Sequence, residues 1–202
     1  MPLARTWDPA TRTIVSTTHD GFVDRCSKWS DIREYLPFLY DTARSYNQVR
    51  VLELGSRKGN STLAFLAAAD ETDGHVWSGD VRDITVDAEG MLPWSRHPRW
   101  TFTRGDDMDP VVQSLLPVQV DVLFIDTSHE YEHTLEECRA YVPRVAAGGV
   151  ALFHDTNLNG WPGYEWDSAV PPVAAALNEY CAETGLRWEN TPGVYGLGVI
   201  RT

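Results

Sequence analysis

The hydrophobic pattern of this chain alternates between short apolar runs and longer stretches with helical spacing. Five runs of strand length are predicted: Val49–Leu54, His75–Asp80, Arg99–Thr103, Asp121–Asp126 and Val150–Phe153. The fourth run is continuously apolar between two aspartates, which is typical of a central strand buried on both faces. Strands alternating with helices predict an α/β fold with a doubly wound, mostly parallel sheet and helices on both faces. Two final strands, Leu186–Glu189 and Val194–Ile200, are expected to place an antiparallel strand near the C-terminus.

The first predicted helix begins with a capping residue at Ser30 and runs to about Tyr46. Because proline breaks or kinks a helix interior, Pro37 predicts a short first turn followed by a helix. The residues before this helix are polar and show little periodicity. Residues 1–29 are therefore predicted to form an N-terminal arm, and residues 30–202 a single domain of a size that suits one α/β core.

A second amphipathic stretch follows the fourth predicted strand. His129–Val142 is expected to form a helix that directs Leu135 and Cys138 inward. The glutamates of this stretch, Glu136 and Glu137 among them, are expected to face outward into water.

A glycine turn between the first strand and the next helix, in VLELGSRKGNST, indicates a cofactor site. Gly55 and Gly59 let the backbone approach a ligand, and the N-terminus of the following helix offers unpaired N–H groups. The middle glycine of the dinucleotide pattern is missing, which handicaps binding of a pyrophosphate. Glu53 adds a negative charge beside the turn, which favours a cationic ligand such as the sulfonium of S-adenosylmethionine over NAD.

Acidic residues lie at the end of each predicted parallel strand. They are Glu53, Asp80, Asp106, Asp107, Asp126 and Asp155. Ligands of open α/β sheets bind at this edge, outside the carboxyl ends of the strands. Asp80 follows the glycine turn by about 20–25 positions, the spacing at which an acidic residue holds ribose hydroxyls in dinucleotide sites.

Several segments resemble a known enzyme family. The glycine-turn segment is similar to the first motif of class I S-adenosylmethionine-dependent methyltransferases, which have a Rossmann-like fold. VDVLFIDTSHEYEHTLEECRAYVPRVAAGGVALFHDT resembles the middle of the small-molecule O-methyltransferases, both catechol-type and natural-product enzymes, and of the cephalosporin-hydroxylase-like proteins beside them. SDIREYLPFLYDTA and VYGLGVI also fit this family. The resemblance covers most of the chain from about Ser30, and it implies methyl transfer to a hydroxyl of a small molecule, such as a sugar or a natural-product metabolite.

The resemblance also implies which residues bind the cofactor. The implied S-adenosylmethionine site comprises Glu53, Gly55, Ser56, Gly59, Ser61, Asp80, Asp106, Asp107 and Asp126. Asp106 and Asp107 follow the third strand, where the family contacts the adenine. Ser56, Arg57 and Lys58 are placed to face the carboxylate of the cofactor's methionine, and a solvated turn is the alternative for the two cations.

Metal ligands and a general base are implied as well. Asp126 and Asp155 resemble the Mg²⁺ ligands of the metal-dependent members, and Thr156 stands where catechol-type enzymes usually have an asparagine ligand. Oxygen ligands suit Mg²⁺, with Mn²⁺, Ca²⁺ or a Zn²⁺ site as alternatives. His129 occupies the position of the general base, and an imidazole with a pKa of about 6.5 can accept a hydroxyl proton near neutral pH. A structural role is the alternative for His129, and also for His154.

Charge and cysteine usage restrict the remaining possibilities. A net charge of −12 argues against affinity for nucleic acid or anionic membranes. Three widely spaced cysteines suit a reducing compartment. No signal pattern and no apolar run of about 18 residues is present, so a cytoplasmic location without a membrane partner is expected. A small hydroxylated acceptor is the expected partner, and a homodimer is expected because the polar arm has too little apolar content to order itself alone.

Two other functions are compatible with the pattern. One is a nicotinamide-dependent oxidoreductase on a similar sheet, against which Glu53 and the missing glycine count. The other is a binding protein that keeps the fold without turnover, against which the acids at the strand ends count. The choice of acceptor is expected to depend on the arm, on Arg82–Pro98 and on an aromatic loop that contains Trp161, Tyr164 and Trp166.

Overall fold

The computed structural model describes residues 6–8, 13–15, 18–87, 90–91, 94–159 and 166–202, and all structural statements refer to these ranges. The strands are β1 (Thr6–Asp8), β2 (Thr13–Val15), β3 (Arg50–Leu54), β4 (His75–Asp80), β5 (Val86–Asp87), β6 (Gly90–Met91), β7 (Trp100–Arg104), β8 (Val120–Ile125), β9 (Val145–His154), β10 (Trp188–Thr191) and β11 (Leu197–Arg201). The helices are α1 (Thr18–Ser27), α2 (Leu36–Arg44), α3 (Asn60–Thr72), α4 (Pro110–Leu115), α5 (Tyr131–Tyr141) and α6 (Pro172–Thr184).

Seven strands form the main sheet in the order β10-β11-β9-β8-β3-β4-β7. Neighbours from β9 to β7 are parallel, whereas β11 runs antiparallel to both β9 and β10. The predicted doubly wound sheet with an antiparallel strand near the C-terminus is thus confirmed. The strand order reverses between β3 and β8, so their carboxyl ends border the crevice in which ligands of such sheets bind.

The central strand β8 shows why the chain folds into three layers. Val122 and Phe124 pack into the core under α1, α2 and α3, while Leu123 and Ile125 pack into the core under α4, α5 and α6. All four side chains are buried. Each contributes roughly 1.5–3 kcal/mol by leaving water, so the end of β8 is firmly anchored.

One predicted strand begins earlier than expected, and Pro37 lies at the start of a helix. Strand β9 begins at Val145 rather than at Val150, because the chain continues the strand through the glycines and absorbs them as an irregularity in its pairing with β8. Pro37 does not break a helix but lies in the first turn of α2, where its missing N–H costs nothing. A 3₁₀ turn, Arg33–Tyr35, precedes that helix, as the predicted short first turn requires.

Helix α1 lies inside the segment predicted to be an arm. Its buried Phe22 stacks on Tyr40 of α2 at 4.7 Å between ring centroids, and Gly21 packs against Leu63 of α3. The sequence predicted no helix here because few of its positions are apolar. Residues 18–27 therefore pack on the domain, while the boundary placed at residue 30 stays a prediction.

The structure describes only part of the predicted aromatic loop. Trp161 and Tyr164 lie outside the described residues. Trp166 is described, and its ring lies 5.4 Å from that of Tyr131 at the start of α5. Within the described ranges, none of the helices has the length and apolar character that crossing a membrane requires.

Candidate active site

The glycine turn after β3 lies against the loop after β8. Gly55 has a φ of +83° and its N–H donates to the carbonyl of Gly79 at 2.9 Å. The N–H of Asp126 donates to the carbonyl of Leu54, also at 2.9 Å. A Cβ on Gly55 would lie 2.0 Å from the carbonyl oxygen of Asp126. Only glycine fits this position, and the close approach brings the turn and the acid that follows β8 together.

The second glycine of the turn serves packing. Gly59 has a φ of +70° and caps the N-terminus of α3. A Cβ there would lie 2.6 Å from the indole of Trp94, which is buried over the turn. Contact between Gly59 and a cofactor stays a prediction.

The carboxylate of Glu53 lies beneath the turn and is fully buried. Its oxygens accept hydrogen bonds from the hydroxyls of Ser61 (2.6 Å), Thr62 (2.7 Å) and Ser78 (2.6 Å). Burial raises the pKa of Glu53, and the three hydroxyls act in the opposite direction. Glu53 is not among the residues that line the two cavities described next, so the geometry gives it a supporting position, and its predicted contact with the cofactor stays a prediction.

Two cavities meet at the turn. The first, the Asp80 cavity, has a volume of about 400 Å³ and is lined by Gly55, Arg57, Gly79, Asp80, Val81, Arg82, Gly105, Asp106, Asp107, Asp126, Thr127, Ser128, His129 and His133. The second, the Trp29 cavity, has a volume of about 260 Å³ and is lined by Arg25, Lys28, Trp29, Ser30, Asp31, Ile32, Ser56, Arg57, Lys58, Asn60, Ser61 and Asp126. Of the residues that the structure describes, only Arg57 and Asp126 line both, so Asp126 lies where the cavities join. Seven of the nine predicted cofactor residues line one cavity or the other.

Asp80 is held at the wall of its cavity by two backbone donors. The N–H of Arg57 donates to one carboxylate oxygen and the N–H of Arg82 to the other, each at 2.8 Å. Each oxygen of an ionised carboxylate can accept a further hydrogen bond. The pre-oriented carboxylate is therefore suited to a pair of neighbouring hydroxyls, as on a ribose.

A buried group of three titratable side chains supports the far end of the Asp80 cavity. His133 Nε2 lies 3.2 Å from Asp107 Oδ1 and 3.5 Å from Glu137 Oε1, which also accepts a hydrogen bond from Thr127 at 2.7 Å. Tyr141 donates to the backbone carbonyl of Asp107. Helix α5 thus fixes Asp107 through His133 and Tyr141, whereas the side chain of Asp106 is exposed and accepts a hydrogen bond from a backbone N–H in its own turn.

Glu137 was predicted to face outward, and this prediction is wrong: the exposed fraction of Glu137 is 0%. It belongs to the buried stripe of α5, three positions after Thr134 and four before Tyr141. Burial raises the pKa of Glu137 to about 8, and the charge of Asp107 adds to this effect. The two carboxylates raise the pKa of His133 to about 11. Near neutral pH the group therefore contains a neutral Glu137, a charged His133 and an ionised Asp107.

Replacing Glu137 by glutamine should make stability less dependent on pH. The pKa of this carboxyl rises from an ordinary 4.5 to about 8 on folding, so its proton stabilises the folded state fully below the lower value. That contribution is lost as the pH rises through the upper value, by at most about 1.4 kcal/mol per pH unit. Glutamine has no such proton to lose. Urea unfolding from about pH 5 to about pH 9 should show Glu137→Gln gaining on wild type as the pH rises.

The neighbouring Glu136→Gln is the matched control, because Glu136 is exposed on the same helix. It should follow the wild-type pH dependence. A free-energy difference between wild type and Glu137→Gln that is constant with pH would contradict the assignment of a neutral buried carboxyl.

Two acids and two histidines form a cluster at the junction of the cavities. His129 Nε2 lies 2.9 Å from Asp126 Oδ1 and 3.0 Å from Asp155 Oδ2. His154 Nδ1 lies 3.3 Å and 3.1 Å from the same two oxygens. His129 and Asp155 have φ values of +60° and +62°, a strained conformation that the surrounding structure maintains.

The charges of this cluster are mutually dependent. Burial alone would lower the pKa of both imidazoles, but Asp126 and Asp155 outweigh it, raising the pKa of His129 and bringing that of His154 to about 10. Against the effect of burial, the same histidines lower the pKa of Asp126. The two carboxylates thus favour the charged form of both imidazoles.

The cluster fits a divalent cation. Asp126, His154 and Asp155 each offer a ligand atom, and these atoms lie within 4.8 Å of one another. Among the described residues, both ring nitrogens of His154 and Oδ1 of Asp155 are buried without a properly aligned hydrogen-bond partner. Such orphaned atoms cost roughly 1–3 kcal/mol each, and a cation at the cluster would give a partner to one ring nitrogen of His154 and to the carboxylate of Asp155. A cation of charge +2 would also balance the charge of the two carboxylates.

Thr156, predicted to be a third metal ligand, is otherwise engaged. It is buried, and its hydroxyl donates to Oδ1 of Asn190 on β10 at 2.8 Å. Its role as a ligand stays a prediction, and the structure places the imidazole of His154 beside the two acids instead. The sequence left His154 open because it is the last residue of β9, where the direction of a side chain depends on the register of the strand.

Comparison with known proteins identifies the family. A family model described as a methyltransferase domain matches residues 52–156, just over half of the 202 residues. The matched range runs from β3 through the loop after β9 and includes the turn, the Asp80 cavity acids and the acid–histidine cluster. The chain is also 24% identical over 183 residues to the uncharacterized protein y4gI of Sinorhizobium fredii, a match that covers 81% of this chain and 19% of that protein. This chain thus spans about a fifth of the length of that curated relative.

Two solved structures share the fold. An O-methyltransferase from Bacillus cereus in complex with SAH is 15% identical, with 93% of this chain and 91% of that chain covered and a TM-score of 0.64. The MycE methyltransferase of the mycinamycin biosynthetic pathway, in complex with Mg, SAH and mycinamycin VI, is 19% identical, with 90% of this chain and 52% of that chain covered and a TM-score of 0.63. The fold and the family match agree with the resemblance seen in the sequence: the chain belongs to the methyltransferase-domain family.

Proposed function

We propose that this chain is an S-adenosylmethionine-dependent O-methyltransferase that acts on a hydroxyl of a small molecule with the help of a divalent cation. The observation that carries the proposal is the position of Asp126, which lines both cavities and belongs to the acid–histidine cluster. A cofactor in one cavity and an acceptor reaching in from the other would meet at this cluster.

The cofactor is assigned from the chemistry of the cavity walls. Asp80 is oriented for ribose hydroxyls, and the buried carboxylate of Asp107 is fixed for an amino group such as that of adenine. The turn offers the backbone of Gly55 at the switch point of the sheet. SAH, the demethylated form of S-adenosylmethionine, is bound in both solved structures compared above, which supports the assignment.

Cofactor binding is the first test of this function. Calorimetric titration should show binding of S-adenosylmethionine and of S-adenosylhomocysteine, and Asp80→Asn should weaken both, because it removes the charge that accepts the ribose hydrogen bonds. NADH should not bind, since the turn lacks the glycine that brings a backbone close to a pyrophosphate. Binding of NADH in preference to S-adenosylmethionine would replace the proposal by an oxidoreductase.

Asp126 and Asp155, with His154 beside them, are proposed to hold the cation, Mg²⁺ first and Mn²⁺ as its alternative. When bound there, such a cation lowers the pKa of an acceptor hydroxyl and orients its oxygen. The acceptor oxygen attacks the methyl carbon in line with the sulfur, and the carbon–sulfur bond breaks as the new carbon–oxygen bond forms. The remaining requirement is a group that takes the hydroxyl proton.

His129 is proposed to take that proton. It lines the Asp80 cavity, and Nε2 is within hydrogen-bond distance of both carboxylates of the cluster. Asp126 and Asp155 favour the charged imidazole, so they stabilise the product of the proton transfer. The left-handed backbone at His129, just before α5, holds the ring at the cluster rather than along the helix.

Replacing His129 by glutamine should slow methyl transfer by roughly 10²–10⁴-fold, the usual contribution of a positioned general base. Affinity for S-adenosylhomocysteine should stay nearly unchanged, because binding of the cofactor does not need this proton. His75→Gln is the matched control, because His75 is the first residue of β4 and the site lies at the carboxyl ends of the strands. An unaltered rate for His129→Gln, measured with an acceptor that wild type methylates, would exclude it as the base.

A further inference from the structure

The Trp29 cavity is left with unused space once the cofactor is placed. The adenosine part belongs in the Asp80 cavity, which contains the acids suited to ribose and adenine. In the Trp29 cavity, Ser56, Arg57 and Lys58 are predicted to face the carboxylate of the methionine part, and Ser61 is predicted to bind the cofactor. Another part of the wall, from Arg25 to Ile32, comes from α1 and the residues that follow it, and no predicted cofactor contact explains that part.

This wall is unusually basic for the chain. The protein has 17 basic and 29 acidic residues. The Trp29 cavity nevertheless has four basic side chains, Arg25, Lys28, Arg57 and Lys58, and two acidic ones, Asp31 and Asp126. A chain with a net charge of −12 repels anions at long range, so a local excess of positive charge indicates a site where an anion binds.

The basic side chains are only partly neutralised. Arg57 pairs with Asp31 at 2.6 Å. Lys28 pairs with Asp24 at 2.6 Å, but both groups are well exposed, and such a pair contributes at most about 1 kcal/mol. Among the described residues, Arg25 and Lys58 have no carboxylate partner. The guanidinium of Arg25 instead lies over the buried ring of Trp94, 5.8 Å from the ring centroid, a contact that adds no negative charge.

An aromatic surface lies beside these charges. Trp29 lines the cavity although 81% of its side chain surface is exposed. A flat indole with an open face can stack on a ring of a bound molecule, an interaction of about 0.5–1.5 kcal/mol beyond its buried area.

We propose that the methyl acceptor is an anionic ring compound, one with a carboxylate or phosphate group besides its hydroxyl, and that Arg25 and Lys28 bind this group. Trp29 packs on the ring, which places the hydroxyl toward Asp126 at the junction of the cavities. The inference rests on the proposed function and adds the substrate class to it.

The cofactor itself offers the main alternative occupant of the basic wall. Its methionine part has one carboxylate, and an ammonium and a sulfonium group accompany it. Its one carboxylate balances one positive charge, and Arg57 and Lys58 of the glycine turn are the basic groups predicted to face it. The remaining positive charge then has no counterpart in the cofactor, and separate measurements on cofactor and acceptor distinguish the two assignments.

The test uses matched pairs of probes on the protein saturated with S-adenosylhomocysteine in a magnesium buffer. Catechol is compared with 3,4-dihydroxybenzoate, and glucose with glucose 6-phosphate, so that each pair differs by one anionic group. Calorimetry should show at least tenfold tighter binding of one or both anionic members, weakening as salt is added. Comparison of the two pairs tells whether carboxylate or phosphate is preferred.

Variants connect the preference to the wall. Arg25→Gln/Lys28→Gln should reduce the affinity for the anionic probe at least tenfold, leave the neutral probe unchanged and keep the affinity for S-adenosylhomocysteine. Lys28→Gln alone, at an exposed position, should give a smaller loss without disturbing the packing on Trp94. Arg187→Gln, which removes an exposed charge outside both cavities, should change nothing.

Equal or undetectable binding of both members in each pair would overturn the inference while the proposed function stands. So would a double variant that keeps the preference, or one that loses affinity for S-adenosylhomocysteine instead, because the wall would then serve the cofactor. A wild-type protein that binds no S-adenosylhomocysteine would overturn the proposed function and the inference together.

Discussion

Replacing Asp126 by asparagine is expected to reduce methyl transfer by roughly 10³–10⁵-fold while the protein stays folded and still binds S-adenosylhomocysteine. The charge stabilisation that a cation contributes to such a transition state amounts to several kcal/mol, and each factor of ten in rate corresponds to 1.36 kcal/mol. Asparagine keeps the shape of the side chain and one hydrogen-bond acceptor. It removes the negative charge that both histidines and the proposed cation share.

The variant should also lose metal affinity, a result that does not depend on turnover. Calorimetric titration with Mn²⁺ should show a clear loss of binding in Asp126→Asn. The pKa of His154 should fall, because Asp126 is one of the two carboxylates that raise it. Titration of the imidazole signals by NMR would show this as a shift toward its ordinary value.

Asp121→Asn is the matched control, since Asp121 lies near the other end of the same strand and pairs with Arg50 at 2.7 Å. It should lower stability slightly and leave turnover intact. Turnover of Asp126→Asn within tenfold of wild type would contradict the proposed role of this acid. Full activity after exhaustive chelation would contradict the cation and leave the family and fold untouched.

The edge of the sheet at which the site forms was predictable from sequence. Parallel strands bring their carboxyl ends together, so an acid after each of them predicts a shared crevice without any knowledge of packing. Asp80, Asp107 and Asp126 lie in the Asp80 cavity for this reason. The position of Glu53 was not predictable in this way, because Glu53 lies inside β3 rather than after it. Its side chain points into the protein, toward hydroxyls from α3 and β4.

The contacts within the site were not predictable, because they depend on the exact rotation of elements. On α5, a glutamate beside an inward cysteine was assigned to solvent, yet Glu137 lies on the buried stripe and its proton offsets the burial. The stripe at Thr134, Glu137, Cys138 and Tyr141 was a signal that could have revealed it, since a charged residue in an otherwise buried helical repeat indicates a partner. That partner, His133, is one turn away on the same helix.

Replacing Gly55 by alanine is expected to lower the melting temperature and to reduce turnover together. The new Cβ would lie 2.0 Å from the carbonyl oxygen and 2.6 Å from the carbonyl carbon of Asp126, and backbone atoms cannot move aside as a flexible side chain does. The left-handed φ of +83° adds strain of about 1–2 kcal/mol for any residue with a Cβ. With the clash included, a loss of about 3 kcal/mol corresponds to a decrease of roughly 6–12 °C for a chain of this size.

Gly148→Ala separates the two causes, because Gly148 has a φ of +81° and nothing within 4 Å of the position of its Cβ. It should show the backbone strain alone, a fall of roughly 2–8 °C. The difference between the two variants measures the clash between the glycine turn and the loop after β8. Relief of that clash displaces Asp126, and a displacement of about 1 Å at a reacting centre can reduce turnover roughly 10²-fold. Equal melting temperatures for the two variants, together with unaltered turnover of Gly55→Ala, would contradict the close contact between the glycine turn and Asp126.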